Sequence, residues 1–314
     1  MPEPVVFVVG DLLLDHYVEG RATHVAPDAP VMVMVRDHEY TRPGGMWNAA
    51  ANVRASGVTL RAFGVDGEAG DWRLRDKVQN ETFGPDECLT IVEPGRRTQT
   101  KTRYLGQYGF QMMRADTPKD GPIGAETFGA LMDAMERVAR RDGAPHVVFV
   151  ADYGCGVVTG DLIGSILHRW PHAVLVADPY PTTRALDYRG VGILTPNRCE
   201  ALGMVGQLDE TDEAALLRLS GTVVVKNGGD PLTVYRRDAV PFHVRPPQLA
   251  VVDPCGAGDA FTAYLCAQLA RGANVETAVD VAAHAGACAV SHRGVHVVTP
   301  AEVSASLDQL RFHN

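Results

Sequence analysis

The sequence predicts an α/β fold in which helices cover both faces of a mostly parallel central sheet, with a small β-sheet lid inserted. Three observations support this prediction. Residues 5–9 form a continuous apolar run closed by Gly10-Asp11, which is typical of a buried strand in a parallel sheet. From about residue 128 onward, apolar strands alternate with helical segments. Two pairs of extended segments, at about residues 16–42 and 98–115, do not fit this alternation and predict the lid.

Each element follows from local residue types. Pro27 and Pro30 exclude a long helix from the first lid segment, where residues 31–35 alternate in a strand pattern. A Pro-Gly-Gly break at residues 43–45 precedes an alanine-rich helix. No repeat or long linker interrupts residues 1–314, so we expect a single domain. The predicted helices span residues 47–55, 128–141, 162–170, 258–270 and 275–290, and the predicted strands of the body span residues 5–9, 147–151, 173–177 and 223–226.

Composition excludes several classes of function. The chain has 314 residues and a net charge of −9, so no general positive field would attract nucleic acid or an anionic membrane surface. No stretch approaches the roughly 20 apolar residues that cross a bilayer, and the N-terminus lacks the basic start of a signal peptide. The six cysteines form no Cys-x-x-Cys pair. This scattering is typical of a reducing compartment, and we expect a cytoplasmic protein.

The strongest chemical signal is the turn that contains Gly256, Ala257, Gly258 and Asp259. A short apolar strand is expected to enter this turn at residues 251–253, and a helix begins on it. Free backbone amides at a helix N-terminus bind phosphoryl groups, and Asp259 could accept the proton of an attacking hydroxyl. The alternative is a tight turn whose first-turn aspartate is favoured only by the helix dipole. A Walker Gly-x-x-x-x-Gly-Lys-Ser/Thr motif is absent, which disfavours a P-loop protein.

This Gly-Ala-Gly-Asp turn resembles the signature of the ribokinase-like (PfkB) carbohydrate kinases. In that family the glycine-flanked amides form an anion hole and the final aspartate is the catalytic base. Gly44-Gly45 followed by Asn48 resembles the sugar-binding motif of the family, and Asn197 with Glu200 resembles its Asn-x-x-Glu motif. The resemblance implies a ribokinase-like three-layer fold and transfer of phosphate from ATP, with Mg²⁺, to a sugar hydroxyl.

Further segments resemble one branch of the family, the kinases that phosphorylate heptose 7-phosphate at its anomeric carbon. Carboxylates at strand ends can accept hydrogen bonds from sugar hydroxyls, and basic lid residues can clamp a distal phosphate. The alternatives are turn capping for the carboxylates and a solvated surface for the basic residues. The residues so expected at the sugar are Asp15, Gly44, Gly45, Asn48, Lys101, Arg103, Arg114 and Asp152.

Four positions depart from that branch. Cys155 and Tyr180 stand where its members have lysines, and Met46-Trp47 replaces a pair of small residues beside the sugar. The resemblance therefore leaves the acceptor open between a heptose 7-phosphate and another sugar, sugar phosphate or nucleoside. A sugar-sensing protein without turnover on the same fold is the alternative from another class.

The nucleotide is expected at the opposite end of the site. Glu200 would act on Mg²⁺ indirectly, through water, and His284 would form a wall of the adenine pocket. For Lys226, a surface lysine after a strand is the alternative. The exposed edges of the lid strands also predict a homodimer. The residues expected at the nucleotide are Asn197, Glu200, Lys226, Gly228, Asp253 and His284.

Overall fold

The computed structural model describes residues 3–69 and 72–311. Within these residues twelve strands and eight helices are found. The strands are β1 (Val5–Val25), β2 (Met32–Gly45), β3 (Thr59–Ala69), β4 (Cys88–Arg97), β5 (Thr100–Leu105), β6 (Gln111–Asp116), β7 (Val147–Ala151), β8 (Val174–Asp178), β9 (Val191–Leu194), β10 (Ser220–Val225), β11 (Leu232–Arg236) and β12 (Phe242–Val244). The helices are α1 (Met46–Ala55), α2 (Trp72–Thr82), α3 (Ala125–Asp142), α4 (Gly160–Arg169), α5 (Arg198–Gln207), α6 (Ala257–Ala270), α7 (Val275–Val290) and α8 (Pro300–Arg311).

The central sheet has the strand order β12-β11-β10-β9-β8-β7-β1-β3-β4. Neighbours from β10 to β4 are parallel, whereas β11 and β12 add an antiparallel edge. The prediction of a mostly parallel sheet covered on both faces is confirmed. Val6 and Val8 pack into the core cluster that contains α1, α6 and α7. Phe7 and Val9 pack into the cluster with α3, α4 and α5, which explains the continuous apolar run.

Strand β1 joins the central sheet to the lid. Up to Asp11 it pairs in parallel with β3, and from Leu12 onward it pairs antiparallel with β2. Its outer part also pairs in parallel with β5, which in turn pairs with β6. The predicted lid segments, 16–42 and 98–115, fall on these strands. The residues where β1 leaves the body and enters the lid therefore lie between the two sheets.

Several elements were not predicted from the sequence, and one prediction was wrong. Strand β9 has only four residues, and α5 contains two glycines, so neither gives a clear periodic pattern. The expected strand at residues 251–253 does not form. Val251 and Val252 are 69% and 54% exposed. The amides of Val252 and Asp253 donate to the carbonyl oxygen of Val290 (2.8 and 3.1 Å), so this segment caps the end of α7 instead of joining the sheet.

The buried carboxylate of Asp11 fixes the loop that follows β7. Oδ2 accepts the amides of Tyr153 (2.8 Å) and Cys155 (3.0 Å), and Oδ1 accepts the amide of Val157 (2.9 Å). Three backbone N–H groups of one loop therefore share a single buried carboxylate. Asp11 thereby holds the 153–157 loop against the end of β1.

Among the described residues, no helix combines the length and apolar character needed to cross a bilayer.

Candidate active site

Asp259 lies in the first turn of α6, and its side chain is buried. The preceding N-cap residue, Gly256, has φ 80°, in the left-handed region that favours glycine. A Cβ atom at this position would also lie 2.8 Å from Asn48 Nδ2. The amides of Gly258 and Asp259 have no acceptor within the helix, and that of Ala257 makes only a 3.4 Å contact with the Pro254 carbonyl. This turn therefore presents amides and a carboxylate together.

Two side chains hold the Asp259 carboxylate. Asn48 Nδ2 donates to Oδ2 at 2.7 Å, and the Tyr153 hydroxyl donates to Oδ1. Burial raises the pKa of Asp259 to about 6, while the bonds from Tyr153 and Asn48 oppose this rise. A carboxylate with this pKa is deprotonated at neutral pH but is a stronger base than an exposed aspartate. The site is thus equipped for accepting a proton.

Two lysines, Lys119 and Lys101, contact the loop that carries Tyr153. Lys119 Nζ donates to the Tyr153 carbonyl at 2.6 Å and lies 3.8 Å from the centre of the Tyr180 ring. Lys101, on β5, places its ammonium 5.3 Å from the centre of the Tyr153 ring. Both cations come from outside the loop itself, and both are stabilised by the aromatic faces they approach.

A partly buried ion pair lies beside the amides of α6. Lys226 Nζ contacts Asp178 Oδ1 at 2.6 Å, and a Cβ atom at Gly258 would lie only 3.2 Å from Lys226 Nζ. Thr195 and Thr262 direct their hydroxyls to the two oxygens of Asp178 (3.2 and 3.5 Å). The threonines orient the aspartate, and the aspartate orients the ammonium toward the turn.

A cavity of about 570 Å³ opens at the same turn. It combines polar groups with an apolar wall, as small-molecule sites commonly do. Its polar and charged lining includes Tyr153, Asp178, Asn197, Glu200, Lys226, Gln248 and Asp259, together with Gly228. Its apolar lining includes Leu232, Leu249, Val251, Phe261, Ala283, Ala287 and Val290.

Asn197 and Glu200 form a capping box at the start of α5. Asn197 Oδ1 accepts the Glu200 amide at 3.0 Å, and Glu200 Oε2 accepts the Asn197 amide at 2.7 Å. Burial, and next the negative charge of Asp178, raise the pKa of Glu200. The motif therefore has a clear local structural role, and both of its side chains also line the cavity.

Most residues expected at the sugar lie together on the lid side of Asp259. The guanidinium of Arg103 contacts the Asp15 carboxylate and lies 3.5 Å from Cys255 Sγ. Gly44 is needed beside Asp15, because a Cβ there would lie 2.2 Å from Asp15 Oδ2. Gly45 takes φ 57° at the end of β2, directly before α1, which carries Asn48.

Two of the expected sugar ligands are placed differently. Arg114 is exposed on β6 and forms an ion pair with Asp116 at 2.9 Å. Asp152 is buried, and its Oδ2 accepts the hydroxyls of Thr183 (2.7 Å) and Tyr188. Asp152 Oδ1 accepts the Gly154 amide, so this carboxylate joins the loop after β7 to the segment after β8. The prediction that these two side chains contact the sugar is not supported.

Two of the expected nucleotide ligands also need correction. The carboxylate of Asp253 accepts the amides of Cys255 and Gly294, each at 2.9 Å. It therefore holds the backbone of the turn against the segment that contains Gly294. His284 is buried, with Nδ1 2.8 Å from Ser306 Oγ of α8, and does not line the cavity. The helix was identified correctly as a neighbour of the cavity, but Ala283 and Ala287 provide the lining.

Trp47 replaces a small residue expected beside the sugar, but its ring does not face the candidate site. Trp47 is buried in the core cluster beneath α1, as is Met46. Cys155 is buried too, with its backbone amide held by Asp11. The Met46-Trp47 pair and Cys155 therefore change the packing around the site rather than its exposed surface.

Sequence reasoning gave no chemical role to three residues of this site. These residues are Tyr153, Asp178 and Lys119. Tyr153 lies two residues beyond the end of β7, and Asp178 is the last residue of β8. Polar residues at the carboxyl ends of adjacent parallel strands meet at one edge of a sheet, and this signal could have identified both.

Comparison with known proteins agrees with this geometry. The pattern of the pfkB family carbohydrate kinases matches residues 174–302. A bifunctional protein HldE from Azorhizobium caulinodans is 33% identical over 97% of this chain, which spans 64% of the length of that protein.

Two solved structures are similar in fold. A ribokinase from Thermotoga maritima has a TM-score of 0.75 at 18% identity, covering 97% of this chain and 99% of its own. The ribokinase of Arabidopsis thaliana, solved with ribose and ATP, has a TM-score of 0.73 at 19% identity, covering 98% and 99%. The chain therefore has a ribokinase-like fold, and its residues 174–302 match the pfkB family of carbohydrate kinases.

Proposed function

We propose that this protein is a kinase that transfers the terminal phosphoryl group of ATP to a hydroxyl group of a sugar. One observation carries the proposal: a buried carboxylate, Asp259, shares the first turn of α6 with backbone amides that have no helical acceptor. Asp259 would accept the proton of the attacking hydroxyl. The amides of residues 257–259 and the Lys226 ammonium would stabilise the charge on the transferred group.

The cavity supports ATP as the donor. Its apolar wall, which includes Leu249 and Ala283, suits a planar base, and its charged end lies at the anion-binding turn. Asp178 and Glu200 supply oxygen donors of the kind that Mg²⁺ prefers, directly or through water. When bound, Mg²⁺ would neutralise charge on the nucleotide phosphates. Lys226 is held by Asp178 and provides a fixed positive charge at the same place.

For the acceptor we propose a sugar phosphate, with heptose 7-phosphate as the first choice. The relative from Azorhizobium caulinodans and the motifs of the sugar side favour this acceptor. The lysines expected at positions 155 and 180 are missing, but Lys119 and Lys101 bring two ammonium groups to the same loop from other segments. We infer that these cations contact the phosphate the sugar already carries.

The acceptor is tested with a panel of heptoses, hexoses, pentoses and nucleosides, each sugar with and without a phosphate, scored by ADP release. We expect the highest kcat/KM for a phosphorylated sugar. A higher value for an unphosphorylated sugar or a nucleoside would overturn the acceptor proposal and leave the kinase proposal in place. Tight sugar binding with no ADP release from any acceptor would favour the sugar-sensing alternative.

Lys119→Met tests the contact between these cations and the phosphate of the sugar. Loss of a charge-assisted bond to phosphate, about 1.5–3 kcal/mol, should raise KM for the sugar phosphate roughly 10- to 100-fold. The KM for ATP should stay unchanged. Lys77→Met, on the exposed surface of α2, is the matched control and should alter neither constant. An unchanged KM for the sugar phosphate in Lys119→Met would refute this contact.

The pH dependence of kcat/KM tests the environment of Asp259. Because the base must be deprotonated and its pKa is about 6, kcat/KM should fall as the pH drops below about 6. Tyr153→Phe removes a hydrogen bond that lowers this pKa, so the fall should begin at a higher pH. Tyr235→Phe, whose hydroxyl contacts Glu213, should leave the profile unchanged. An acid limb in the same place for Tyr153→Phe and the wild type would contradict the assignment.

We further propose that the chain acts as a single kinase domain and forms a homodimer through the lid. The lid exposes several apolar side chains, and apolar groups beside strand edges are commonly covered in an assembly. The exposed apolar residues are Val25, Val31, Met32, Val35, Phe110 and Met113.

All six cysteines are free thiols, which fits the reducing cytoplasm as the location of this protein.

Sedimentation equilibrium tests the dimer. The wild type should show twice the mass of one chain, because pairing of the two lids would remove the exposed apolar groups from water. Replacement of Met32 and Phe110 by glutamate should shift the equilibrium to single chains. A wild type that sediments as a single chain at micromolar concentration would rule out the dimer.

A further inference from the structure

Two histidines on the segment between α7 and α8 meet a glutamate in the first turn of α8, outside the site described above. The rings of His292 and His296 are stacked, with centroids 3.6 Å apart. Their Nε2 atoms lie 3.6 and 2.9 Å from one oxygen of Glu302, Oε1. The three atoms lie within 4.8 Å of one another. In residues 3–69 and 72–311 this is the one group of three such side chains that could hold a metal ion.

The other polar atoms of two of these side chains are already bonded. His292 Nδ1 lies 3.1 Å from the carbonyl oxygen of Cys288, to which it can only donate, so its Nε2 carries a free lone pair. Glu302 Oε2 accepts the amide and the hydroxyl of Thr299, both at 2.7 Å. Bonds of this kind orient metal ligands, because they fix the imidazole tautomer and aim one carboxylate oxygen.

We propose that His292, His296 and Glu302 form a binding site for a divalent transition-metal ion of the Zn²⁺ class. Two imidazoles and one carboxylate with an open fourth position suit Zn²⁺. Zn²⁺ with bonds of about 2.0–2.1 Å separates tetrahedral ligands by about 3.3 Å, and the two measured nitrogen–oxygen separations, 2.9 and 3.6 Å, lie on either side of that value.

Binding needs a rearrangement of the two histidine rings, whose side chains are partly exposed. A metal ion lies close to the plane of each imidazole that binds it, so the two parallel rings would have to splay. The side chains of His292, His296 and Glu302 are 43%, 25% and 29% exposed, so an ion can enter from solvent and a water can fill the fourth position. Without a metal, the same atoms form a histidine–carboxylate pair on a partly exposed surface, and the experiment below distinguishes the two.

The ion would tie α8 to a segment that braces the candidate active site. The Gly294 amide donates to Asp253 Oδ2, and the Val298 amide donates to Asn52 Oδ1, each at 2.9 Å. Asn52 Nδ2 in turn contacts the Asn48 backbone oxygen at 3.0 Å. The proposed site is thus connected through Asn52 to Asn48, which holds the Asp259 carboxylate. It does not depend on the proposed kinase function.

Calorimetric titration of the full chain with Zn²⁺ alone, without nucleotide, tests the site. We expect one Zn²⁺ per chain and a rise in Tm when Zn²⁺ is present. His296→Ala and Glu302→Gln should abolish this binding event. Thr299→Val, which leaves the ligands intact but removes one of the two bonds to Glu302 Oε2, should weaken binding about 10- to 100-fold. His172→Ala removes an exposed histidine far along the chain and should bind as the wild type does.

Circular dichroism without metal checks that each variant is folded, and His292→Ala replaces any variant that is not. Co²⁺ is the second probe, because Cys199 is an exposed thiol that could bind metal instead. The Co²⁺ spectrum should lack a thiolate charge-transfer band. Absence of Zn²⁺ binding by the wild type, equal binding by the folded ligand variants, or a thiolate band would each overturn the proposal.

Discussion

The architecture of the candidate site depends on one constraint: a carboxylate is buried at the N-terminus of a helix whose first amides point into the same space. Burial makes the charged form of Asp259 costly, which raises its pKa to about 6. Donors from Asn48 and Tyr153, and the positive end of the α6 dipole, limit that cost. The balance keeps the group deprotonated yet basic at neutral pH, which is the state that proton abstraction requires.

The surrounding elements supply those donors from distant parts of the sequence. Asn48 is carried by α1, which begins directly after the lid strand β2. Tyr153 is carried by a loop that three backbone bonds hold to Asp11, at the point where β1 leaves the central sheet. Sheet, lid and α6 therefore converge on one carboxylate. A displacement of β1 would move both the lid and the loop that bears Tyr153.

The sequence was sufficient for the fold class and for the centre of the site, because both depend on local patterns. The strand at 147–151 and the helix at 275–290 follow from apolar runs and periodicity. Side-chain direction does not follow from such patterns. Asp152 directly follows the predicted strand at 147–151 and His284 lies on the predicted helix at 275–290, but both side chains bind other parts of the protein. The role of Lys119 depends on a contact across the fold with Tyr153, which no local pattern encodes.

Measurement of turnover and nucleotide affinity in the same Asp259→Asn variant tests the central claim most directly. The amide keeps the shape of the side chain but cannot accept the proton, so turnover should fall by about 10²–10⁴-fold. Nucleotide affinity should stay within a few-fold of the wild-type value, and Asp133→Asn, on the exposed face of α3, should change neither quantity. Near wild-type turnover by a folded Asp259→Asn protein would contradict the account.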